Sequence, residues 1–253
     1  MKQGIVACPV HGDNETTPRC PDCRPYMFPD PEELWFNTPD THTLCRAGGN
    51  GPQHPSQLYA IFKYLPLAFE DRNTTFLDYG AGSGTTYEAM KNTFLVNGKK
   101  DRVIDFVDYT GVDIIPKNTE WCRQQFPNAN WKYNPSLHKI DQPDQSFDVV
   151  YSRHVVDHME SFEKAMDEHK RVAKKLVIVI LWTGLLDSDE HQIKNIFENG
   201  KTYQDEYTNY YSRKKIKEYL TSDSQWELLE LAENIGPEQG PGSKDTVICL
   251  RRK

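Results

Sequence analysis

A chain of 253 residues with 37% hydrophobic and 11% aromatic residues is long enough for one α/β domain with additions, and its composition is that of a soluble globular protein. The formal charge of -7 argues against binding a long nucleic-acid backbone, which needs Lys and Arg to displace counterions. The longest wholly apolar run, residues 176–182, is too short to span a bilayer. With no apolar core of signal-peptide length at the start, a cytoplasmic location is expected and no membrane partner.

Residues 1–30 hold Cys8, His11, Cys20 and Cys23 in a C-x2-H-x8-C-x2-C spacing. Two-residue gaps let paired ligands wrap one ion, and three thiolates with one imidazole complete a tetrahedral structural zinc site. The polar loop between the pairs builds no core, so a metal would supply the folding energy. Four protein ligands leave no open position for catalysis, and a reducing compartment suits such thiols. Cys45, Cys122 and Cys249 lie apart and are expected to be ordinary core or surface residues.

Residues 31–72 form a connector with a first helix. The glycine-rich stretch 46–57 is placed to fold over a ligand as a lid. After it, Leu58, Ile61, Phe62 and Leu65 share one helical face, with Ser56 as N-cap and Pro66 as the end or kink.

From residue 73 onward strands and helices alternate. Strands are expected at 75–79, 109–115, 130–134, 146–152 and 175–182, with helices at 84–96, 118–126, 155–173, 188–200 and 212–220. The fifth strand is apolar throughout, as in the buried centre of a parallel sheet. Gly200 is taken as a helix stop. Two closing strands, 226–233 and 245–253, joined by a turn-rich loop, suggest an antiparallel hairpin at one edge. Alternation of this kind predicts a doubly wound α/β sheet, its ligand at the carboxyl ends of the strands.

The loop after the first strand reads Asp78-Tyr79-Gly80-Ala81-Gly82-Ser83-Gly84. Its glycines allow a sharp turn and a close approach of ligand to backbone. The dinucleotide fingerprint G-x-G-x-x-G would need glycine where Thr85 stands. A pyrophosphate at the helix N-terminus would also be repelled by an ionised Asp78. A ligand carrying an ammonium or sulfonium group would be attracted.

This loop resembles motif I of the class I S-adenosylmethionine-dependent methyltransferases, an acid followed by G-x-G-x-G. "YTGVDI" resembles their second motif, whose acid, here Asp113, holds the ribose hydroxyls. Residues 136–159 resemble the stretch from the adenine-contacting position through strand four. The resemblance covers residues 73–253 and implies a Rossmann-like seven-stranded sheet of order 3-2-1-4-5-7-6 with an antiparallel last strand. It implies S-adenosylmethionine bound by Asp78, Tyr79, Gly80, Ala81, Gly82, Gly84, Asp113, Ile114, Ser136, Leu137 and Ser152. Ser136 stands where that family usually has Asp facing the adenine amino group.

Methyl transfer from a sulfonium needs alignment above all, and a base only if the acceptor must first lose a proton. His154, after the fourth strand, is the first candidate for a base or acceptor-orienting group, the alternative being that Arg153 and His154 cap the next helix. His158 is expected to be a packed structural residue. His191 and a run of four tyrosines, Tyr203, Tyr207, Tyr210 and Tyr211, are suited to walling an organic acceptor, with Tyr210 a second catalytic candidate. The expected partner is a small-molecule acceptor methylated at O, N or C. RNA-base methylation with the knuckle docking nucleic acid, and a non-catalytic cofactor-binding scaffold, are the alternatives.

Overall fold

The computed structural model describes residues 52, 54–70, 72–95, 101–159, 161–198, 201–235 and 245–253; for 191–198 and 201–208 it describes the backbone alone. The metal-ligand candidates Cys8, His11, Cys20 and Cys23, and most of the expected lid, lie outside these residues.

The strands are β1 (Thr74–Tyr79), β2 (Val107–Asp113), β3 (Asn130–Tyr133), β4 (Phe147–Arg153), β5 (Ala173–Leu181), β6 (Glu190–Glu198), β7 (Lys201–Tyr210), β8 (Trp226–Ile235) and β9 (Asp245–Arg252). The helices are α1 (Pro55–Lys63), α2 (Thr85–Asn92), α3 (Pro116–Gln125), α4 (Phe162–Val172) and α5 (Arg213–Ser222). Seven strands make one sheet of order β3-β2-β1-β4-β5-β9-β8; β9 runs antiparallel to both β5 and β8, and the other neighbours pair in parallel. The expected order is borne out, with the separate β6–β7 pair inserted between β5 and α5.

Both faces of the sheet are covered. Ile61 of α1 with Tyr64 just after it, Met90 of α2 and Cys122 of α3 pack with Phe76, Tyr109, Tyr151 and Ile178 on one face. Phe162 and Met166 of α4 and Ile216 and Leu220 of α5 pack with Leu77, Val150, Val177 and Val179 on the other. That explains the unbroken apolar run of β5: both sets of its side chains are buried, and each contributes about 1.5–3 kcal/mol. Among the described residues, no helix is long and apolar enough to cross a membrane.

Four local expectations are corrected. The expected helix over 188–200 is the strand β6, paired with β7 across Asn199-Gly200. That dipeptide between two polar, β-branched and aromatic runs is a strong hairpin signal, and it outweighs the helix-stop sense of Gly200. The expected helix over 155–173 breaks into a 3-10 turn, Val156–His158, and α4, because Ser161 caps α4 by accepting the Lys164 N–H. Ser56 is not an N-cap: α1 begins at Pro55 after His54, and the Ser56 hydroxyl turns instead to Asp245. Phe62 does not join the buried face of α1, standing 49% exposed, while Ile61 and Leu65 are buried.

Candidate active site

The carboxyl ends of β1, β2 and β4 meet at the glycine loop. Gly80, Gly82 and Gly84 all have positive φ, 73°, 53° and 72°, a region glycine enters without penalty. The turn is tied to the next strand, since Gly80 N and Ala81 N both donate to the Val112 carbonyl at 2.9 Å. A Cβ on Gly80 would lie 2.2 Å from a methyl of Val155, so the loop after β4 presses directly on the glycine turn. Gly84 ends the turn as the residue preceding α2.

Asp78 is only 1% exposed, beneath this turn. The Tyr109 hydroxyl donates to its carboxylate. Burial pushes its pKa up to about 6, against the hydrogen bonds from Tyr109 and Thr86 and the nearby Arg153 guanidinium. A buried carboxylate raised this far is stabilised by any cation brought close to it.

Asp113 ends β2 and is 6% exposed. Its Oδ2 accepts from Gly82 N at 2.7 Å; its Oδ1 accepts from Ile115 N at 2.8 Å and Asn118 Nδ2 at 3.2 Å. Burial raises its pKa, opposed by these same donors. The segment after β3 is held beside it: Asn134 N donates to the Asp113 carbonyl, and the Tyr79 hydroxyl donates to the carbonyls of Ser136 and Leu137 at 3.2 and 2.7 Å. Asp78, Tyr79, Gly80, Ala81, Gly82, Gly84, Asp113, Ser136 and Leu137 are thus one neighbourhood, with Ile114 following Asp113. The Ser136 hydroxyl accepts from His138 N at 3.1 Å. Ser152 is different: its hydroxyl is buried against His169 Nε2 at 3.0 Å, on the α4 side.

His154 lies just past β4 with φ 57°, a left-handed conformation that costs a non-glycine residue about 1–3 kcal/mol. Its N–H is pinned to the Ile180 carbonyl at 2.8 Å, and it does not cap a helix. Its Nε2 is 2.9 Å from Asp245 Oδ2. The same oxygen accepts the Ser56 hydroxyl at 2.5 Å, and Ser56 Oγ is 2.9 Å from His54 Nδ1. The His54 and His154 rings meet edge-on, with centroids 5.5 Å apart. Asp245 is fully buried. Burial pushes its carboxyl up, but the His154 and Ser56 hydrogen bonds and the adjacent His54 outweigh this and hold it below the usual carboxylate value. Burial drives His154 down to about 4 despite its Asp245 partner, and Arg153 adds to the shift.

Sequence reasoning missed Asp245, Ser56 and His54. The signal was the acid opening a strand whose centre, Val247 to Leu250, is apolar. Because β9 is antiparallel to β5, pairing Thr246 with Leu181, its first residue falls at the sheet's carboxyl edge. His158 is buried with its ring near Trp182, as expected of a packed residue. Tyr211 is buried, donating its hydroxyl to the Val156 carbonyl at 2.6 Å, and so packs rather than lines a cleft. Tyr210 is half-buried, at the end of β7. The backbone of His191 pairs with Asn209; its side chain, with those of Tyr203 and Tyr207, lies outside the described residues. Among the described residues, no group of three or more His, Cys, Asp or Glu is placed to hold a metal ion.

Residues 77–181, β1 through β5, match the family model described as a methyltransferase domain. No curated protein sequence matches the chain. Among solved structures it is similar to an S-adenosylmethionine-dependent methyltransferase from Methanosarcina mazei, at 13% identity and TM-score 0.55, over 75% of this chain and 97% of that one. A second, from Clostridium acetobutylicum, matches at 13% identity and TM-score 0.54, over 83% and 95% of the two chains. A third is the amino pentose methyltransferase CalS10 of Micromonospora echinaspora, at 12% identity and TM-score 0.51, over 79% and 91%. At such identities the likeness establishes the fold, which is the Rossmann-like fold of these methyltransferases.

Proposed function

We propose that this protein is an S-adenosylmethionine-dependent methyltransferase acting on a small organic acceptor at oxygen, nitrogen or carbon. The observation that carries the reading is the pairing of a buried carboxylate, Asp78, with three left-handed glycines at the carboxyl end of β1. A pyrophosphate would meet that buried charge unfavourably, and a sulfonium and ammonium would be favoured by it. When bound, the cofactor supplies an electrophilic methyl group.

The chain's own residues fit that group. Asp113 would take the ribose hydroxyls, its carboxylate oxygens keeping acceptor capacity beyond Gly82, Ile115 and Asn118. Ser136 and Leu137 would flank the adenine, with Ile114 beside them. The backbone from Tyr79 to Gly84 would cradle the amino-acid end, and the main chain of Ser152 would close the floor. His154 and Tyr210 would face the acceptor, and His191 stays a candidate by its place in the sequence. The domain match over residues 77–181 supports the reaction class.

The spacing of Cys8, His11, Cys20 and Cys23 supports a structural zinc held by the N-terminal 30 residues.

Incubation with S-adenosylmethionine labelled in its methyl group, beside small hydroxyl, amine and carbon-acid compounds and RNA transcripts, tests the acceptor class. Label in a small molecule is expected. Label confined to RNA would overturn the small-acceptor reading.

A further inference from the structure

The four side chains at the edge of the cleft come from three distant segments, α1, the end of β4 and the start of β9, yet they form one chain of hydrogen bonds. The direction of each bond follows from chemistry. Asp245 is a buried carboxylate, so Oδ2 accepts from both neighbours. The Ser56 hydroxyl gives its single proton to Asp245 and must therefore accept from His54 Nδ1–H. His154 gives Asp245 the proton on Nε2, which fixes the tautomer and leaves the lone pair on Nδ1. Nδ1 makes no hydrogen bond among the described residues, and the His154 side chain is 17% exposed where Asp245 is wholly buried.

Two further features set this apart from incidental packing. His154 is held in a left-handed backbone conformation, and Val155 beside it touches the glycine turn. The charged and titratable groups facing the imidazole are Asp245, His54 and Arg153, the last reaching Thr85 at the head of α2 with its guanidinium at 3.1 Å. Asp245 Oδ1 is buried without a hydrogen-bond partner among the described residues, so the carboxylate has capacity for a further donor.

We propose that Nδ1 of His154, oriented through Nε2 by Asp245, takes a proton from the acceptor, and that the acceptor is therefore a hydroxyl compound. This rests on the methyl-transfer reading above. An amine attacks through its neutral lone pair and needs no base at that moment, and a carbon acid needs a stronger base than a neutral imidazole. A hydroxyl must lose its proton as its oxygen forms the new bond to carbon. The acceptor O–H bond breaks toward His154 Nδ1 and the oxygen gains the methyl. The sulfonium–methyl bond breaks with its electron pair left on a neutral thioether. The positive charge ends on the imidazole, opposite the Asp245 carboxylate. Asp245 and Ser56 are positioning residues, and His154 is the catalytic one.

The test combines a tautomer measurement with a transfer assay. In protein labelled with 15N-histidine and saturated with S-adenosylhomocysteine, His154 is expected to be neutral with its proton on Nε2 across neutral pH. Asp245→Asn, nearly isosteric, keeps an oxygen to accept from Nε2–H and Ser56 but removes the negative charge that would face the imidazolium. His154→Asn suits the left-handed backbone and removes the base. Methyl transfer to simple phenols and catechols is expected to fall about 10²–10⁴-fold in both variants, while affinity for S-adenosylhomocysteine stays within about threefold. A proton on Nδ1 in the unmodified protein, transfer to amines alone, or transfer unaffected by His154→Asn would each overturn the proposal. If S-adenosylhomocysteine fails to bind the unmodified protein, the methyl-transfer reading falls and the proposal with it; that outcome is distinct from binding with the wrong tautomer.

Discussion

Asp113 and Gly82 are joined across the mouth of the cleft: the carboxylate Oδ2 of Asp113 accepts the Gly82 backbone N–H at 2.7 Å. The acid that ends β2 therefore ties down the glycine turn, and under the proposed function it would also present an acceptor to the ribose.

Asp113→Ala should remove both roles. Each hydrogen bond to a charged acceptor contributes about 1.5–3 kcal/mol, so losing two ribose contacts is expected to weaken S-adenosylhomocysteine binding by about a hundredfold or more. Calorimetric titration of the variant checks this. Affinity unchanged within a few-fold would place the ribose elsewhere.

Asp78, with its pKa raised to about 6, makes cofactor affinity depend on pH. A cationic ligand favours the ionised carboxylate, so binding below about pH 6 requires loss of a proton. Affinity for S-adenosylmethionine should strengthen as pH rises from 5 to 7, by at most about tenfold per unit, and then level off. Asp78→Asn should flatten that part of the profile. The same shift acts on the unliganded protein with the opposite sense. A raised native pKa means the folded state binds the proton more tightly, so Asp78 makes folding more favourable as pH falls through about 6. Asp157, raised to about 6 by burial, acts in the same direction. Titrations and denaturation curves of both proteins across this range give the comparison.

Much of this site was legible in the sequence because its parts are local. An acid, a run of glycines and a second acid ending the next strand are close in the chain and restricted in chemistry. Alternation implied a doubly wound sheet, and the strand order followed from the family resemblance. The His154 network was not legible, because Asp245 is 91 residues from His154 and 189 from Ser56. Only the antiparallel placement of β9 beside β5 brings them together. Ser56 looked like a cap because capping is what serine before a helix most often does. The β6–β7 pair was missed for a related reason: its alternation is weak in apolar residues, and Asn199-Gly200 serves both a hairpin and a helix end.

Gly111 has a packing role that a methyl group would expose. A Cβ there would stand 2.3 and 2.5 Å from two atoms of the Trp131 ring, which is buried and tied through its indole N–H to the Phe126 carbonyl at 2.9 Å. Gly111→Ala is expected to destabilise the protein by about 1–3 kcal/mol through overpacking. Urea denaturation measures the loss; a change below about 0.5 kcal/mol would mean that β2 and β3 yield more readily than this packing implies.

The N-terminal cysteines make a prediction independent of the cleft. Native mass spectrometry should find one zinc ion per chain, lost in Cys20→Ser, with S-adenosylhomocysteine binding retained. A metal-free native mass at full occupancy of the chain would remove the zinc reading and leave the methyltransferase domain untouched.

The cleft at the carboxyl ends of β1, β2 and β4 is proposed to hold S-adenosylmethionine and not a dinucleotide. Titration of the purified protein at neutral pH with S-adenosylhomocysteine, and separately with a nicotinamide dinucleotide, tests it most directly. Saturable heat is expected with S-adenosylhomocysteine, its affinity lowered about a hundredfold or more by Asp113→Ala, and none with the dinucleotide. Binding of the dinucleotide with no response to S-adenosylhomocysteine would contradict it.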